Sequence, residues 1–207
     1  MSTYTQPLDA FLQAVEALVP LTPAARAYLR TQAVIETLPA HTTIHRAGQP
    51  AQRLYYLHTG LARSYYTQAR GLQSTSCFFK LGAFMYSPYT FLTDQPASEN
   101  VELLRAGIHI SVSFQALREW HTYYPDTAEF GTALGKQHAI LYDERLRAFR
   151  DLSSEELYQW FLNRHPDLYG LIPHKILASF MGIAPETLSR IQNKKTINKN
   201  FKKDSQN

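Results

Sequence analysis

The hydrophobic period changes twice along the chain. Residues 7 to 31 carry two short helical patterns, and Thr22-Pro23 has the residue types of an N-cap followed by proline at the first helical position. From about residue 33 to residue 112 the period is two, in seven short runs separated by turn residues. The helical period then returns. This order predicts an α+β chain whose strands form an antiparallel barrel or sandwich of jelly-roll type.

One apolar stripe follows the helical segment 126–152, where Phe130, Leu134, Leu141 and Phe149 recur on one face. A long stripe on a helix outside a barrel needs a partner surface. A second copy of the chain in a two-fold dimer would supply it, so we predict a homodimer through helix 126–152. The alternative is that the stripe packs against the chain's own barrel.

These patterns divide the 207 residues into three parts. We predict a jelly-roll domain with N-terminal helices over 1–125, the dimerisation helix over 126–152 and a helical domain over 153–207. Ser153 and Glu156 have the spacing of a capping box, which predicts that a new helix begins there.

The stretch "HKILASFMGIAPETLSRIQNKK", residues 174 to 195, places one glycine between two short helical patterns. Ala178 is small enough for two helices to approach closely, and Gly182 tolerates the positive φ of a tight turn. Leu188 and Ile191 give the second helix an inner face. This spacing is that of a DNA-binding helix-turn-helix, and the alternative is a helical hairpin with a structural role only.

The outward face of the second helix is polar. Arginine can bridge O6 and N7 of guanine, and glutamate can accept a hydrogen bond from N4 of cytosine. We expect base reading from Glu186, Thr187, Ser189 and Arg190. We expect phosphate contacts from His174, Lys175, Asn193, Lys194 and Lys195, although His174 also fits a simple surface histidine.

The positive charge of the chain is concentrated at its C-terminal end. The net charge is +4, and residues 190 to 207 alone contain six basic residues and one acid. A local basic patch favours a polyanionic partner, and Lys199, Lys202 and Lys203 would add to it. The alternative is a solvated, disordered tail.

Four segments resemble the Crp/Fnr family of bacterial transcription regulators, especially its short Bacteroidetes-type members: "PAQRLYYLHTGLARSYY", "FLTDQPASENVELL", "LYDERLRAF" and "IPHKILASFMGIAPETLSRI". The resemblance implies an N-terminal cyclic-nucleotide-binding-like jelly roll, a long dimerisation helix and a C-terminal helix-turn-helix domain. The wing is expected to be reduced, since only 16 residues follow Ile191. The implied partners are double-stranded DNA with an inverted-repeat operator and, for an activator, RNA polymerase.

Glu186 and Arg190 match the positions that read bases in the family, and His174 and Lys175 match positions that contact the DNA backbone. Pro185 stands where the family often has an arginine, so one base contact is missing. The operator is therefore expected to differ from the usual family operator.

The effector region departs further from the family pattern. The resemblance places Gly82-Ala83 where cyclic AMP binders carry a glycine-glutamate pair, and Ala97-Ser98-Glu99 where they carry an arginine-serine pair. Because Glu99 would repel the cyclic phosphate, we predict that cyclic AMP does not bind in the usual way. An aromatic-lined pocket for an uncharged ligand, of unknown identity, is the effector hypothesis, and core packing is its alternative. The candidate residues are Tyr65, Phe84, Tyr86, Ser98 and Glu99.

Several kinds of site and location are excluded or disfavoured. The single cysteine, Cys77, excludes internal disulfides and a one-chain iron–sulfur or thiolate zinc site, so no metal or cofactor is expected. No run approaches 18 apolar residues and the N-terminus lacks a basic segment, which predicts a cytoplasmic protein without membrane contact. We expect no enzyme activity.

Two alternative functions stay open. A cupin-like metal enzyme could use His41, His45 and His58. However, His41 and His45 are four residues apart, so on a strand they would share a face about 13 Å apart. No glutamate follows at a spacing that would complete a metal site. A ligand-binding jelly roll with a non-functional DNA-binding domain would account for Pro185 and the short tail.

Overall fold

The computed structural model describes residues 6–204, with side chains as far as Lys194. Two helices, α1 (Pro7–Glu16) and α2 (Pro23–Gln32), precede the first strand. The Thr22 hydroxyl accepts a hydrogen bond from the Ala25 N–H at 3.2 Å. The predicted N-cap is therefore confirmed, and Pro23 follows it as the first helical residue.

Eight strands in residues 6–204 form two antiparallel four-stranded sheets, in the orders β1-β8-β3-β6 and β2-β7-β4-β5. Their bounds are β1 Val34–Leu38, β2 Thr43–His45, β3 Arg53–Leu57, β4 Leu61–Thr67, β5 Gln73–Phe79, β6 Phe84–Met85, β7 Asn100–Arg105 and β8 Gly107–Ser113. Each predicted run contains a strand. Strand β6 was not predicted, because two residues are too short to show a period.

The described residues contain six further α-helices: α3 Pro88–Thr93, α4 Phe114–Tyr123, α5 Glu129–Asp151, α6 Ser154–Arg164, α7 His174–Met181 and α8 Pro185–Asp204. Two short 3-10 helices, Pro125–Thr127 and Pro166–Leu168, precede α5 and follow α6. The predicted long helix is α5. Ser153 and Glu156 form the predicted capping box at the start of α6, in which each side chain bonds the backbone N–H of the other. Helix α8 continues to Asp204, so the described chain has no β-hairpin after the second helix of the turn, as expected for a reduced wing.

The first core lies between sheet β1-β8-β3-β6 and helices α1, α2 and α4. Phe11, Leu29 and Trp120 are its largest fully buried members on these helices. The Trp120 indole N–H donates to the Ala25 carbonyl at 3.0 Å, so this buried donor is satisfied. Phe130 joins the same core and anchors the start of α5 on the barrel.

A second core joins the other sheet to the C-terminal helices. The Phe78 ring on β5 lies 5.0 Å from Phe180 on α7 and 6.1 Å from Phe161 on α6. Leu188 on α8 is fully buried in the same cluster. The C-terminal helices therefore pack directly on the barrel, a contact that the sequence pattern did not predict.

Candidate DNA-binding and effector sites

The turn between α7 and α8 has the backbone that its sequence requires. Gly182 has φ +64°, in the left-handed region that favours glycine. The Ile183 N–H donates to the Ala178 carbonyl at 3.1 Å, which satisfies an orphan acceptor at the end of α7. The Ala184 carbonyl then accepts from Thr187 and Leu188, so the backbone of α8 begins its regular bonds at once.

The inner faces of α7 and α8 are apolar and buried. Leu177, Ala178, Met181, Leu188 and Ile191 are all buried. Leu188 and Ile191 are the two residues that the sequence pattern assigned to the inner face of the second helix. With these positions buried, helix geometry places the polar residues of α8 on the outside.

The expected base-reading residues are at the surface. Glu186, Ser189 and Arg190 are exposed, while Thr187 is half-buried and accepts a bond from the Arg190 guanidinium at 3.2 Å. The Ser189 hydroxyl lies 3.4 Å from the His174 imidazole, so the two helices also meet through their polar edge.

The residues expected to contact phosphates differ in exposure and in their present partners. Lys175 and Asn193 are exposed. Lys194 pairs with Glu155 at 2.7 Å, and both side chains are well solvated. Lys195, Lys199, Lys202 and Lys203 lie on α8, but their side chains are outside the described residues.

A cleft of about 390 Å³ separates the start of α6 from α8. Ser153 and Ser154 line one side, and Thr187, Arg190 and Lys194 line the other. Glu155 lines the same side as the serines and pairs with Lys194 across the cleft, so the start of α6 gives Arg190 a polar neighbourhood. Sequence reasoning missed the two serines here because they are distant from α8 along the chain.

Helix α7 is fixed to strand β5 by polar contacts. The Ser179 and Thr75 hydroxyls are 2.7 Å apart, and Thr75 also accepts from the Arg63 guanidinium at 3.0 Å. Arg63 is only 4% exposed and pairs with Glu102 at 2.6 Å. These groups place the edge of α7 at a defined position on the barrel.

Arg145, on α5, connects the barrel to the helix-turn-helix. Its guanidinium donates to the carbonyls of Thr75 at 2.8 Å and Phe180 at 3.1 Å, and also to the Ser76 carbonyl. Its charge lies over the rings of Phe149 and Phe180, 4.7 and 4.6 Å from their centroids. The Arg145 side chain, which extends from α5, therefore links strand β5 to helix α7.

The five effector candidates fall in three different places. Tyr65 lies beneath the Arg63 guanidinium, 4.4 Å from its ring centroid, so it belongs to the contacts near α7. Phe84 and Tyr86 line a cleft between the barrel and α5. Ser98 and Glu99 lie beside Tyr66 and Ser76. The structure does not bring all five together.

The Glu99 carboxylate is held inside the protein. It is 2% exposed and accepts from the Ser76 hydroxyl at 2.9 Å, which lies 2.6 Å from the Ser64 hydroxyl. Burial raises the pKa of Glu99, and the bonds from Ser76 and Ser64 and the Arg145 charge oppose that rise in part. Gly82 and Ala83 are not part of this site; they lie in the turn between β5 and β6.

The histidines considered for a metal site are not assembled into one. In the described residues, no group of three or more His, Cys, Asp and Glu side chains could hold a metal ion. His45 is instead a buried ring packed against Tyr55, with centroids 5.7 Å apart. Burial lowers the pKa of His45 to about 4, so the ring is neutral at pH 7.

Known proteins match both the first domain and the whole architecture. Residues 35–122 match the family model described as the cyclic nucleotide-binding domain. Over the longer chain, the CLP regulator of Xanthomonas campestris matches at 16% identity and TM-score 0.66, covering 86% of this chain and 93% of CLP. A Crp/Fnr family regulator from Eubacterium rectale matches at 11% identity and TM-score 0.71, covering 86% and 85%.

The chain has the Crp/Fnr regulator fold. FixK2 of Bradyrhizobium japonicum shares it at 15% identity and TM-score 0.70, covering 80% of this chain and 85% of FixK2. No curated protein sequence matches the chain significantly. Among the described helices, none is both long and apolar enough to cross a membrane. The Crp/Fnr fold thus accounts for the barrel, the long helix and the helical C-terminal region together.

Proposed function

We propose that this chain is a homodimeric, sequence-specific DNA-binding transcription regulator, not an enzyme. The observation that carries the proposal is the polar face of α8, where Glu186, Ser189 and Arg190 are exposed while Leu188 and Ile191 are buried beneath them. A helix held in this way can enter the major groove with its side chains towards base edges. Residues 1–125, 126–152 and 153–207 then act as effector-type, dimerisation and DNA-binding parts.

The base contacts are assigned to Arg190 and Glu186, with Thr187 and Ser189 in support. The Arg190 guanidinium has only the neutral Thr187 hydroxyl as a described hydrogen-bond partner, so it is available for guanine. Phosphates are assigned to His174, Lys175, Asn193, Lys194 and Lys195. Contact with RNA polymerase follows from the family resemblance and belongs to an activating form of this function.

The dimer contact is assigned to α5. Ile140 is 59% exposed and Leu146 64%, although both are large apolar side chains on α5. Burying such a surface against the same helix of a second copy would be favourable. We expect Leu146→Glu to convert the dimer to a monomer in analytical ultracentrifugation. Val34→Glu, at a residue that is 45% exposed on β1, is the matched control and should stay dimeric.

The regulator is proposed not to respond to cyclic AMP. Glu99 is buried with its hydrogen bonds to Ser76, and its negative charge disfavours a phosphate in the same position. Isothermal titration calorimetry with cyclic AMP should give no saturable binding. Saturable binding would contradict this part of the proposal.

Selection from random duplex DNA tests the function directly. At about 0.15 M salt, the wild type should enrich an inverted repeat with half-site centres about 10 bp apart. Arg190→Ala should lose the sequence preference at one base pair in each half-site, with a loss of about 1–3 kcal/mol of binding free energy at that base. Lys175→Ala should weaken binding to all sequences alike and reduce the salt dependence by about one charge.

Arg118→Ala is the matched control, because Arg118 is an exposed arginine on α4 of the barrel. It should select the same operator as the wild type. If the wild type enriches no sequence, the DNA-binding proposal fails, and the chain is better described as a ligand-binding jelly roll with a non-functional DNA-binding domain.

A further inference from the structure

A cleft of about 510 Å³ opens between strand β5, the turn before β6 and helices α1 and α5. Leu18, Phe84, Leu134 and Leu141 give it mainly apolar walls. Pockets for small molecules commonly have volumes of about 300–1,000 Å³ and apolar walls with a few polar groups. The size and lining of this cleft therefore suit a small organic molecule.

Two buried polar atoms along this cleft lack hydrogen-bond partners among the described residues: the Tyr86 hydroxyl and Nδ1 of His165. Tyr86 is 5% exposed, and its ring packs against Phe91 and His138 at 5.5 and 5.8 Å. Buried polar atoms nearly always have a partner. Two such atoms beside one cleft indicate a partner from outside the chain.

The protonation states define what these atoms can bind. Burial raises the pKa of Tyr86 to about 12, so its hydroxyl is a hydrogen-bond donor at neutral pH. Burial, helped by the charges of Lys80 and Arg164, lowers the pKa of His165 to about 4, so its ring is neutral. A ligand must therefore offer an acceptor to Tyr86, while Nδ1 of His165 can donate or accept according to its tautomer.

The charged groups along the cleft are already compensated. Lys80 pairs with Asp167 at 3.0 Å, and Arg164 pairs with Glu144 at 3.2 Å. A compound with little charge, or a single weak acid, fits this lining better than a nucleotide. Gly82 and Ala83, at the positions of the glycine-glutamate pair of cyclic AMP binders, line the cleft, whereas Glu99 does not. The cleft therefore borders the first of those positions and excludes the phosphate position.

We propose that the cleft binds a small, mainly apolar molecule that carries an acceptor oxygen for the Tyr86 hydroxyl, such as a medium-chain carboxylic acid. The molecule would contact the barrel, α5 and the end of α6 at once. Its effect on DNA affinity rests on the proposed function, but its binding does not.

Fluorescence titration of the full chain with 1-anilinonaphthalene-8-sulfonate, followed by displacement with decanoic acid, tests the site. The wild type should bind the dye saturably and release it to decanoic acid. Tyr86→Phe should weaken decanoic acid about fivefold, because one hydrogen bond is lost. Its thermal midpoint should not fall, since the hydroxyl has no described bond within the protein to lose.

A blocking variant and a matched control separate this site from other apolar surfaces. Ala17 is exposed at the cleft, so Ala17→Trp should fill it and weaken decanoic acid more than tenfold. Ala27 is exposed on α2 and does not line the cleft, so Ala27→Trp should bind like the wild type.

Three results would overturn the proposal: dye that decanoic acid does not displace, equal affinity in wild type and Ala17→Trp, or binding seen only in the Leu146→Glu monomer. The last would mean that a second copy covers the cleft. Because the titration contains no DNA, a failed operator selection with intact displacement would reject the DNA-binding function alone.

Discussion

Two glutamate–arginine pairs in this protein have opposite environments. Glu186 and Arg190 lie one turn apart on α8, and both are exposed. Glu99 and Arg145 are far apart in the sequence, yet Glu99 is buried and Arg145 donates to three backbone carbonyls. The first pair can meet a partner from outside, whereas the Glu99 carboxylate and both terminal nitrogens of Arg145 already bond groups within the protein.

The role of a glutamate or an arginine in this protein therefore depends on its surroundings and not on its residue type alone. An exposed arginine contributes little to stability and keeps its donors for a ligand. A half-buried arginine that bonds carbonyls from two elements holds those elements together, because its removal leaves acceptors unsatisfied.

Arg145→Ala should lower the free energy of unfolding by about 3 kcal/mol, because the carbonyls of Thr75, Ser76 and Phe180 would lose their shared donor. Arg190→Ala should change it by less than about 0.5 kcal/mol. Urea denaturation of both variants measures the difference. Equal losses of stability would remove the distinction between the two arginines.

Gly182→Ala should lower the free energy of unfolding by about 1–2 kcal/mol, since φ is +64° and an added Cβ would lie 3.4 Å from the Phe149 ring. Gly135→Ala is the matched control on α5, where an added Cβ meets no atom within 4 Å. It should raise stability by up to about 1 kcal/mol. The thermal midpoint should therefore fall in Gly182→Ala and rise in Gly135→Ala. Midpoint shifts of the same sign in both variants would contradict the turn geometry.

Ser179→Ala should cost about 1 kcal/mol, because it removes the 2.7 Å bond to Thr75, which keeps its bond from Arg63. Ser189→Ala, at an exposed serine of α8, should cost less than about 0.5 kcal/mol. Urea denaturation again provides the measurement. A larger cost at Ser189 would argue against the assignment of α7 as the helix held by the barrel.

Glu99→Gln should change the free energy of unfolding least near pH 4.5. At pH 7 the variant should be at least as stable as the wild type. The folded pKa of Glu99 is raised above 4.5, so the folded state binds more protons than the unfolded state just above that pH. The stability contributed by this group therefore falls as pH rises through the window from 4.5 to the folded pKa.

The measurement is the difference in unfolding free energy between Glu99→Gln and wild type across that pH range. Ser76→Ala should move the upper end of this pH window to higher pH, because the Ser76 hydroxyl lowers the folded pKa of Glu99 and the variant lacks it. A difference that does not change with pH would show that Glu99 is not the buried titrating group.

The helix-turn-helix could be predicted because its signals are local. Gly182 tolerates the turn, while Leu188 and Ile191 lie on one helical face at a spacing that a single sequence displays. The capping box at Ser153 and the strand pattern are readable for the same reason. The polar face of α8 follows directly from these positions.

The effector candidates could not be separated in the same way. Aromatic composition grouped Tyr65 with Phe84 and Tyr86, but neighbouring strands and helices place Tyr65 beside Arg63 and the other two along the cleft. Arg145 gave no sequence signal, because its partners are backbone carbonyls of residues that are distant along the chain.

Periodicity and turn chemistry act over a few residues, so the sequence predicted all the strands except β6, the turn between α7 and α8 and the polar side of α8. The contact of α7 with β5, the burial of Glu99 and the position of Tyr86 and His165 along one cleft came from the packing of the folded chain. These facts depend on which distant surfaces pack together, and burial then sets the bonding and the charge of each group.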